Sequence, residues 1–423
     1  MPERWLIVAD DLTGAADAGV AFARRGVKTK VLLPNALLVD EETATVAYDA
    51  DTRRSTATQA GARHAQAIAR FGAPDTNVYK KIDSTLRGHP AVEIAAMREV
   101  LAEHRRPTAA VFAPAFPAMG RTTRDGRVYV HGKPLEESET WAREHTYSNA
   151  DLAEMLASAG MTSVKVPLAR VRAGVAVLRD ELNRISSEGT TRFAKVAVCD
   201  AETDADLDCI AGAARASDSK AFLIGTAGLA HAVARAQSAS ERAPLQLKRS
   251  EAGALVVIGS LATVTRQAAR SLASLSGVMS LRVDSATLRD TGSAGALHSD
   301  CNSITRALET GTDVLVEIAE DVAPDLGRGD ELVRALASGL SDALGRLSGL
   351  IVSGGETAAA LLAQLLVKEI ELMGEVETGV VLGVARDHRD FPLVTKPGAF
   401  GDAGSLVRAL EKLRMIRRTG IVS

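Results

Sequence analysis

Short apolar runs alternate with helix-length amphipathic segments along nearly the whole chain, and this alternation limits the possible folds most strongly. Strands that are separated by helices pair in parallel, because each crossover helix returns the chain to the same edge of the sheet. The sequence therefore predicts an α/β protein with mostly parallel sheets flanked by helices. The predicted strands lie at residues 5–9, 29–33, 44–48, 76–81, 109–113, 163–166, 194–198 and 221–224, and then at 254–258, 278–283, 313–318, 349–352, 379–384 and 393–396.

The chain has 423 residues, which is too many for one ordinary hydrophobic core, so two domains are expected. The alternation stops at residues 234–252, where a polar stretch with a proline lacks clear periodicity. We therefore predict a first domain at residues 1–235, a linker at 236–252 and a second domain at 253–423.

Composition excludes several classes of partner. A formal net charge of -3 does not favour nucleic acid or an anionic membrane, and an aromatic content of 3% argues against base-stacking surfaces. No stretch approaches the ~20 apolar residues that span a bilayer. The three cysteines stand far apart without the spacing of zinc ligands. Since the first strand begins at Trp5, we expect no targeting segment and a cytoplasmic location.

One strand end in the first domain is unusually rich in charge and hydroxyl groups. The stretch KKIDSTLRGHP at residues 80–90 follows a predicted strand and combines lysines and arginine with Asp83 and Ser84. Arginine and lysine bind carboxylates or phosphates, whereas aspartate orients hydroxyl groups. A solvated turn, with Ser84 or Thr85 capping the helix after Pro90, is the alternative interpretation.

Two other strand ends favour the interpretation as a site. Asp10 and Asp11 follow the first strand, and a helix N-cap accounts for one aspartate but not for two, since adjacent like charges repel unless a ligand or cation shares them. The third strand is followed by DTRRS at residues 51–55, which contains Arg53. In α/β sheets such ends face the ligand. The three ends therefore predict a site for a small, anionic, polyhydroxylated ligand.

A long segment at residues 114–148 interrupts the alternation. It is rich in proline, glycine and arginine, and residues 127–134 resemble a hairpin. Long irregular segments inside compact domains usually act as lids or binding loops. Arg121 and Arg124 stand beside hydroxyl residues, which favours a binding loop over a surface excursion.

Three glycine-containing junctions in the second domain suggest an anion site. They lie where predicted strands pass into helices, at residues 255–263 (LVVIGSLAT), 350–358 (LIVSGGETA) and 394–402 (VTKPGAFGD). Glycines let backbone N–H groups approach phosphate oxygens, and a helix N-terminus adds positive charge. Lys396 could supply a point charge, and Ser353 and Thr357 could donate hydrogen bonds. Neither a Walker motif nor a GxGxxG motif is present.

Six motifs in order resemble those of the four-carbon acid sugar kinase family, over essentially the whole chain: ADDLTGAAD, KKIDSTLRGHP, APAFPAMGRTTRDGRVYVHGKPL, GTAGLA, SGGETA and VTKPGAFGD. This family includes kinases of threonate, erythronate and 3-oxo-tetronate. The resemblance implies that the first domain binds the acid sugar and that the second binds ATP with Mg²⁺. It further implies transfer of the γ-phosphate to the 4-hydroxyl in a cleft between the domains.

The residues and the resemblance together give candidate sites. For the acid sugar they are Asp10, Asp11, Arg53, Lys81, Ile82, Asp83, Ser84 and Arg121. For ATP they are Ser260, Ser353, Gly354, Gly355, Glu356, Thr357, Lys396, Gly398, Ala399, Phe400 and Gly401. Asp11 and Asp83 are the candidate catalytic carboxylates, and the base stays open among Asp10, Asp11 and Asp83. The metal ligands are unassigned.

Some positions depart from the family pattern. Residues 119–122 read MGRT where the family often has GGRT, and residues 145–149 read HTYSN where it often continues into Asp-Pro. These departures leave the substrate contacts of the long loop open. The last motif is closer to the threonate kinases than to the oxo-tetronate branch, which makes D-threonate the expected substrate.

Two other classes of function compete with the kinase. An NAD-dependent oxidoreductase would also use two α/β domains, but the missing GxGxxG motif argues against it. A non-catalytic protein that binds sugar acids would need the first cluster without the glycine junctions. The expected partners are therefore a small sugar acid and ATP, and a homodimer remains open.

Overall fold

The chain folds into two compact units, Met1–Glu241 and Arg242–Ser423. The boundary between them falls within the stretch that sequence analysis treats as a linker. The computed structural model describes residues 3–36, 40–103, 109–188, 193–218, 220–289, 294–319, 329–386 and 389–423. Among these residues no helix is both long enough and apolar enough to cross a membrane.

A parallel sheet forms the centre of the first unit, with strands in the order β2-β3-β1-β4-β11-β5-β10-β9. A separate antiparallel sheet contains β6, β7 and β8. The strands are β1 (Trp5–Ala9), β2 (Thr29–Leu32), β3 (Thr45–Asp49), β4 (Asn77–Lys81), β5 (Ala109–Ala113), β6 (Arg121–Arg124), β7 (Arg127–Val130), β8 (Lys133–Pro134), β9 (Ser163–Val166), β10 (Val196–Cys199) and β11 (Ala221–Gly225).

Alanine-rich helices cover this sheet. Every residue of the first helix is buried, and its small side chains allow close packing against the sheet and a second helix near the end of the unit. The helices are α1 (Leu12–Ala23), α2 (Ala57–Phe71), α3 (Pro90–Glu103), α4 (Glu139–Arg143), α5 (Leu152–Ala157), α6 (Leu168–Val171), α7 (Val175–Ser187), α8 (Asp204–Arg215) and α9 (Ala227–Arg235), with 3₁₀ turns at Pro117–Met119 and Leu135–Glu137.

In the second unit the main strands lie side by side in the order β14-β15-β13-β16-β19-β18-β17. Its strands are parallel from β14 to β19, after which β18 and β17 add on in antiparallel orientation. The short strands β12 and β20 pair separately. The strands are β12 (Leu245–Gln246), β13 (Ala254–Ile258), β14 (Val278–Val283), β15 (Asp313–Ile318), β16 (Gly349–Ser353), β17 (Glu369–Glu377), β18 (Val380–Arg386), β19 (Phe391–Lys396) and β20 (Ile421–Val422).

Helices also flank this second sheet. The last helix and the first one of the unit pack against each other beside it. The helices are α10 (Thr263–Ala273), α11 (Ser285–Arg289), α12 (Ala294–Glu309), α13 (Gly329–Gly339), α14 (Ser341–Leu344), α15 (Gly355–Gln364) and α16 (Ser405–Thr419). The predicted α/β class with mostly parallel sheets is therefore confirmed.

Some local expectations differ from the structure. Strand β17 is missing from the prediction, because its glutamates and Gly374 dilute the apolar signal of a strand that is half-exposed along much of its length. The hairpin expected at residues 127–134 is part of a three-stranded sheet that already begins at Arg121.

Asp313 connects the second sheet to its last helix. Its buried carboxylate accepts hydrogen bonds from the Ala254 N–H (2.8 Å), from Arg414 Nε (2.6 Å) and from Arg417 Nη1 (3.0 Å). One side chain therefore fixes β13, β15 and α16 relative to one another.

We expect Asp313→Ala to lower the free energy of unfolding of the second unit by about 3–5 kcal/mol, because it leaves a buried N–H and two partly buried guanidinium groups without their acceptor. Glu309→Ala, which removes the exposed ion pair with Arg346, is the control and should change it by about 1 kcal/mol or less. Denaturant titration of both variants measures the difference. Equal losses would contradict the assigned role of Asp313.

Candidate active site

Three polar strand ends meet at one edge of the first sheet. Strand β1 pairs in parallel with both β3 and β4, and Ala9 lies opposite Asp49 on one side and Lys81 on the other. The loops that follow these strands therefore start side by side. The structure thus brings together the three clusters that sequence analysis treats as one site.

Arg53 holds the adjacent carboxylates of Asp10 and Asp11. Its Nε and Nη2 donate to the two oxygens of Asp10 at 2.7 and 3.0 Å, and its Nη1 and Nη2 donate to those of Asp11 at 3.0 and 2.9 Å. Burial alone would raise the pKa of Asp10, but the guanidinium holds this pKa below its usual range. Since these contacts occupy most of its donors, Arg53 serves first as the cation that lets two neighbouring acids coexist.

Asp11 also starts the first helix. Its side chain accepts the Gly14 N–H at 2.9 Å as the N-cap of α1, and Thr13 donates to its other oxygen at 2.6 Å. Both sequence interpretations of the paired acids therefore apply to Asp11, because it caps a helix and also shares a cation.

Asp83 is held by the loop that follows β4. Arg87 donates to both of its oxygens, from Nε at 2.9 Å and from Nη2 at 2.8 Å, and Arg53 Nη2 lies 3.6 Å away. Burial opposes ionisation, but Arg87 and Arg53 hold the pKa of Asp83 well below its usual range. The turn between them places the buried Leu86 at a φ of 58°, a strained conformation for a residue other than glycine. The loop is therefore built to return Arg87 to Asp83.

Lys81 lies against the first turn of α1. Its Nζ donates to the Ile82 carbonyl at 2.8 Å. A methyl group at Gly14 would lie 3.1 Å from this nitrogen and 2.6 Å from Asp11 Oδ1, so the absence of a side chain at Gly14 permits the close approach. The side chain of Ile82 packs in the hydrophobic core, whereas Ser84 is half-buried in the loop.

The long segment after β5 contributes one of its two candidate arginines. Arg121 is buried, donates to the Met119 carbonyl, and lies close enough to Asp83 and Arg87 for their charges to affect its pKa, which burial lowers. Arg124 instead forms an exposed ion pair with Glu202. Arg121 therefore lies near the site, whereas Arg124 is engaged elsewhere on the surface.

Two residues of the segment 145–149, which departs from the family pattern, contact the chain that follows β4. Thr146 donates to the Gly88 carbonyl at 2.7 Å, and the hydroxyl of Tyr147 accepts the Ala91 N–H at 3.1 Å. Burial raises the pKa of Tyr147 to about 12. This segment therefore fastens the long loop to the start of α3.

Sequence reasoning missed several charged residues of this region. Asp49 ends β3, and burial together with the charges of Asp51 and Asp11 raises its pKa well above the usual value. Arg87 stands inside a quoted motif without an assigned role. Lys80, His64 and Glu93 form a buried cluster described below. The available signal for His64 and Glu93 was an ionisable residue on the otherwise buried face of a predicted helix.

The three glycine junctions of the second unit also converge. Strands β13, β16 and β19 are neighbours, the Gly259 N–H donates to the Ser353 carbonyl at 3.3 Å, and the Gly354 N–H donates to the Lys396 carbonyl at 3.0 Å. Gly354 has a φ of 110°, which only glycine adopts readily. The first residues of α15, from Gly355 through Glu356 to Thr357, follow directly.

Close side-chain approaches link the same junctions. A methyl group at Gly259 would overlap Thr357 Oγ1, and one at Gly398 would overlap Ser260 Oγ. The hydroxyl groups of Ser260 and Thr357 therefore lie next to backbone that carries no side chain. Such an arrangement of hydroxyl groups, glycine N–H groups and a helix N-terminus suits phosphate oxygens.

Lys396 supports this arrangement from below. Its side chain is fully buried, and Nζ donates at 2.7 Å to Thr265 Oγ1, which itself donates at 2.7 Å to the Gly398 carbonyl. Burial lowers the pKa of Lys396 to about 8. Lys396 was expected to be a point charge for phosphate, and in this structure its ammonium group holds the Gly398 loop through Thr265.

The second half of that loop turns away from Ser260. Ala399 is exposed, whereas Phe400 packs against Gly379 in the β17–β18 turn. Gly401, at a φ of 83°, lies beside Ser405 at the start of α16. Among residues 398–401, Gly398 is therefore the one beside Ser260 of the first junction, whereas Lys396 contacts Gly354 of the second.

Comparison with known proteins agrees with this division of roles. Residues 5–233 match a sugar-binding N-terminal domain, and residues 255–406 match a nucleotide-binding C-terminal domain. A D-threonate kinase of Cupriavidus necator is 39% identical over 97% of this chain and 98% of its own length. A D-threonate kinase of Salmonella typhimurium (30%; 96% and 97%) and a D-erythronate kinase of Heliobacterium modesticaldum (28%; 96% and 96%) are also similar.

The chain belongs to the four-carbon acid sugar kinase family. A solved protein of Salmonella typhimurium has the same fold, with a TM-score of 0.79 at 22% identity over 96% of this chain and 99% of that one. A Haemophilus influenzae protein has a TM-score of 0.71 at 19% identity, with the same coverage.

We expect Gly398→Ala to weaken binding of ATP about tenfold or more, because the added methyl group displaces Ser260 from the junction. Gly374→Ala is the control, since a methyl group there meets open space. Calorimetric titration of both folded variants with ATP measures the effect. An unchanged affinity in Gly398→Ala would place the phosphates elsewhere.

Proposed function

We propose that this protein transfers the γ-phosphate of ATP, bound as its Mg²⁺ complex, to the 4-hydroxyl of a four-carbon sugar acid. D-threonate is the expected substrate, and D-erythronate and 3-oxo-tetronate are the alternatives within the family. The names of the relatives support the substrate class, and the identity of 39% to a D-threonate kinase supports the choice within it.

The balance of charges at the three strand ends of the first unit is the observation that supports an anionic ligand. Among the described side chains at these strand ends, the buried or half-buried carboxylates Asp10, Asp11 and Asp83 face the cations Arg53, Lys81, Arg87 and Arg121. Asp49 is left out of this comparison, because burial raises its pKa well above the usual value and so favours its neutral form. The four cations outnumber the three carboxylates by one formal charge, and a ligand with one carboxylate would neutralise this difference.

The contacts suggest how the cations divide their work. Arg53 is largely occupied by Asp10 and Asp11, so its effect on the ligand is mostly indirect. We assign the substrate carboxylate to Lys81, with Arg87 and Arg121 beside it. This assignment changes the expectation that Arg53 binds the carboxylate directly.

Asp11 is the best candidate to orient the 4-hydroxyl. Arg87 and Arg53 hold the pKa of Asp83 well below its usual range, which makes this carboxylate a poor proton acceptor. Phosphoryl transfer needs positioning and charge stabilisation more than a strong base, so an ionised aspartate at a helix start is sufficient. In the second unit, the glycine junctions with Ser260 and Thr357 would hold the phosphates of ATP.

An ADP-release assay over D-threonate, L-threonate, D-erythronate and 3-oxo-tetronates tests the proposal. We expect ATP-dependent turnover that is fastest with D-threonate, and a product phosphorylated at the 4-hydroxyl. Binding of a sugar acid without ADP release would indicate a non-catalytic binding protein. Oxidation of a sugar acid coupled to NADH formation would indicate the oxidoreductase.

We expect Lys81→Met to weaken sugar-acid binding by roughly 1.5–3 kcal/mol, or roughly tenfold to a hundredfold, because a charge-assisted contact to the carboxylate is lost. The corresponding sugar alcohol should be a poor substrate of the parent and little affected by the change. Lys220→Met, at an exposed position, is the control. If the preference for acid over alcohol persists in Lys81→Met, the carboxylate is bound elsewhere.

We expect Asp11→Asn to lower kcat on the order of 10²-fold, because the amide cannot accept the proton of the 4-hydroxyl. Asp83→Asn should instead raise KM for the acid, since it releases Arg87 from its carboxylate partner. Steady-state kinetics with D-threonate separates the two effects. Near-normal turnover in both variants would contradict the assignment of these carboxylates.

A further inference from the structure

A fully buried polar cluster lies directly beneath the proposed acid site and has no role in the proposed chemistry. It consists of Lys80 on β4, Glu93 on α3, His64 on α2 and Thr52 after β3. The cluster joins two strand ends of the first sheet to the two helices that pack over them. We refer to these four residues as the buried cluster.

The ammonium group of Lys80 is surrounded by acceptors. It lies 2.8 Å from Glu93 Oε2, 2.8 Å from His64 Nε2 and 2.8 Å from the Lys81 carbonyl oxygen. The other carboxylate oxygen of Glu93 accepts the Thr52 hydroxyl at 3.0 Å. The cluster is therefore a connected network in which each side chain is held by another member.

His64 takes part as a neutral acceptor. Its Nδ1 lies 2.9 Å from the Ala60 carbonyl, which can only accept, so Nδ1 carries the hydrogen and Nε2 receives the hydrogen bond from Lys80. Burial lowers the pKa of His64 to about 4, so the ring is uncharged near pH 7. The charges of Lys80 and Glu93 then balance each other.

Burying such a cluster opposes folding more than burying apolar side chains of similar size would. Removing two charges from water opposes folding, and well-packed apolar side chains in place of a buried ion pair are often equally stable or more stable. Stability alone therefore does not account for the cluster. A requirement for fixed geometry does, because buried polar networks fix the positions of their members.

Each end of the cluster touches backbone that carries a proposed site residue. Lys80 donates to the carbonyl of Lys81. Thr52 precedes Arg53, and the N–H groups of both residues donate to the Asp10 carbonyl, at 2.9 and 3.2 Å. Glu93 lies on the first turn of α3, shortly after Gly88, where a methyl group would contact Asp10 and Arg53.

We propose that Lys80, Glu93, His64 and Thr52 are positioning residues that set the separation of Arg53 and Lys81 and thereby the affinity for the sugar acid. The proposal rests on the proposed function of the site above them. Neither charge of the ion pair contacts the ligand. The cluster acts through the backbone of β4 and of the loop after β3, at the sub-ångström tolerance that a preorganised site requires.

Variants that regain thermal stability without regaining affinity for the sugar acid test this role. The variants Lys80→Met and Glu93→Leu each leave one buried charge without its partner, and both should lower the midpoint of thermal unfolding. The double variant Lys80→Met/Glu93→Leu removes both charges and should regain most of the midpoint. We expect it nevertheless to keep kcat/KM for D-threonate about 10- to 100-fold below the parent, with KM for ATP within about twofold.

Two further variants complete the experiment. Lys30→Met removes another buried lysine of the same sheet, which pairs with Asp40 away from these strand ends. It should lower the unfolding midpoint and leave the affinity for D-threonate unchanged. Thr52→Val deletes only the hydroxyl that donates to Glu93 and should weaken binding of D-threonate several-fold. This variant therefore tests the proposal if the double variant does not fold.

Binding of D-threonate to the folded variants, measured by calorimetry below their unfolding transitions, decides the outcome. Affinity within about twofold of the parent in the double variant, or in Thr52→Val if the double variant is unfolded, would overturn the proposal and leave the cluster a purely stabilising role. Failure of the proposed function is distinguishable, because the parent itself would then release no ADP with any sugar acid.

Discussion

The proposed acid site depends on one guanidinium group shared by two adjacent carboxylates. Asp10 and Asp11 would repel each other at the end of β1 without a cation between them. Arg53 can fill that place because β1 and β3 pair in parallel, so that the loop after β3 starts beside Asp10. The same guanidinium also lies 3.6 Å from Asp83, which follows β4. The positions of three loops are thus set by one side chain that acts mainly inside the protein.

A similar use of cations occurs in the second unit. Lys396 is buried below the glycine junctions and holds the Gly398 loop through Thr265. In both units, then, a cation that the sequence predicts as a ligand contact also holds protein groups around the site. Such support orients dipoles and N–H groups before a ligand arrives, which is the arrangement that stabilises charge most effectively.

The sequence predicts the strands of this protein better than it predicts which groups its lysines and arginines contact. The bounds of β5, β13 and β15 agree with the prediction, because short apolar runs between turn signals define buried strands well. Strand β17 could not be found in that way, since glutamates interrupt its apolar pattern. The three polar strand ends could be predicted to meet, because parallel strands place their carboxyl ends at one edge. The pairing of each hydrogen-bond donor with its acceptor could not be predicted, since it depends on the tertiary geometry of the loops.

The different environments of Lys80 and Lys81 could also be predicted from the geometry of a β-strand. Neighbouring side chains of a strand point to opposite faces of the sheet. Accordingly Lys80 meets His64 and Glu93 on the α2–α3 side, whereas Lys81 lies against Gly14 at the start of α1. The two adjacent lysines therefore extend to opposite faces, and the charge of Lys80 is matched by the buried carboxylate of Glu93.

The preference for an acid over an alcohol would then follow from the charge count of the whole cluster. Lys80 and Glu93 pair with each other, and burial raises the pKa of Asp49 well above its usual value. Among the described groups that remain at the strand ends, four cations then outnumber three carboxylates by one formal charge. A neutral analogue would leave this excess charge partly desolvated, whereas a carboxylate would complete the balance. Discrimination of this kind is stronger than discrimination by shape, because the penalty falls on the wrong ligand through buried polar groups of the protein itself.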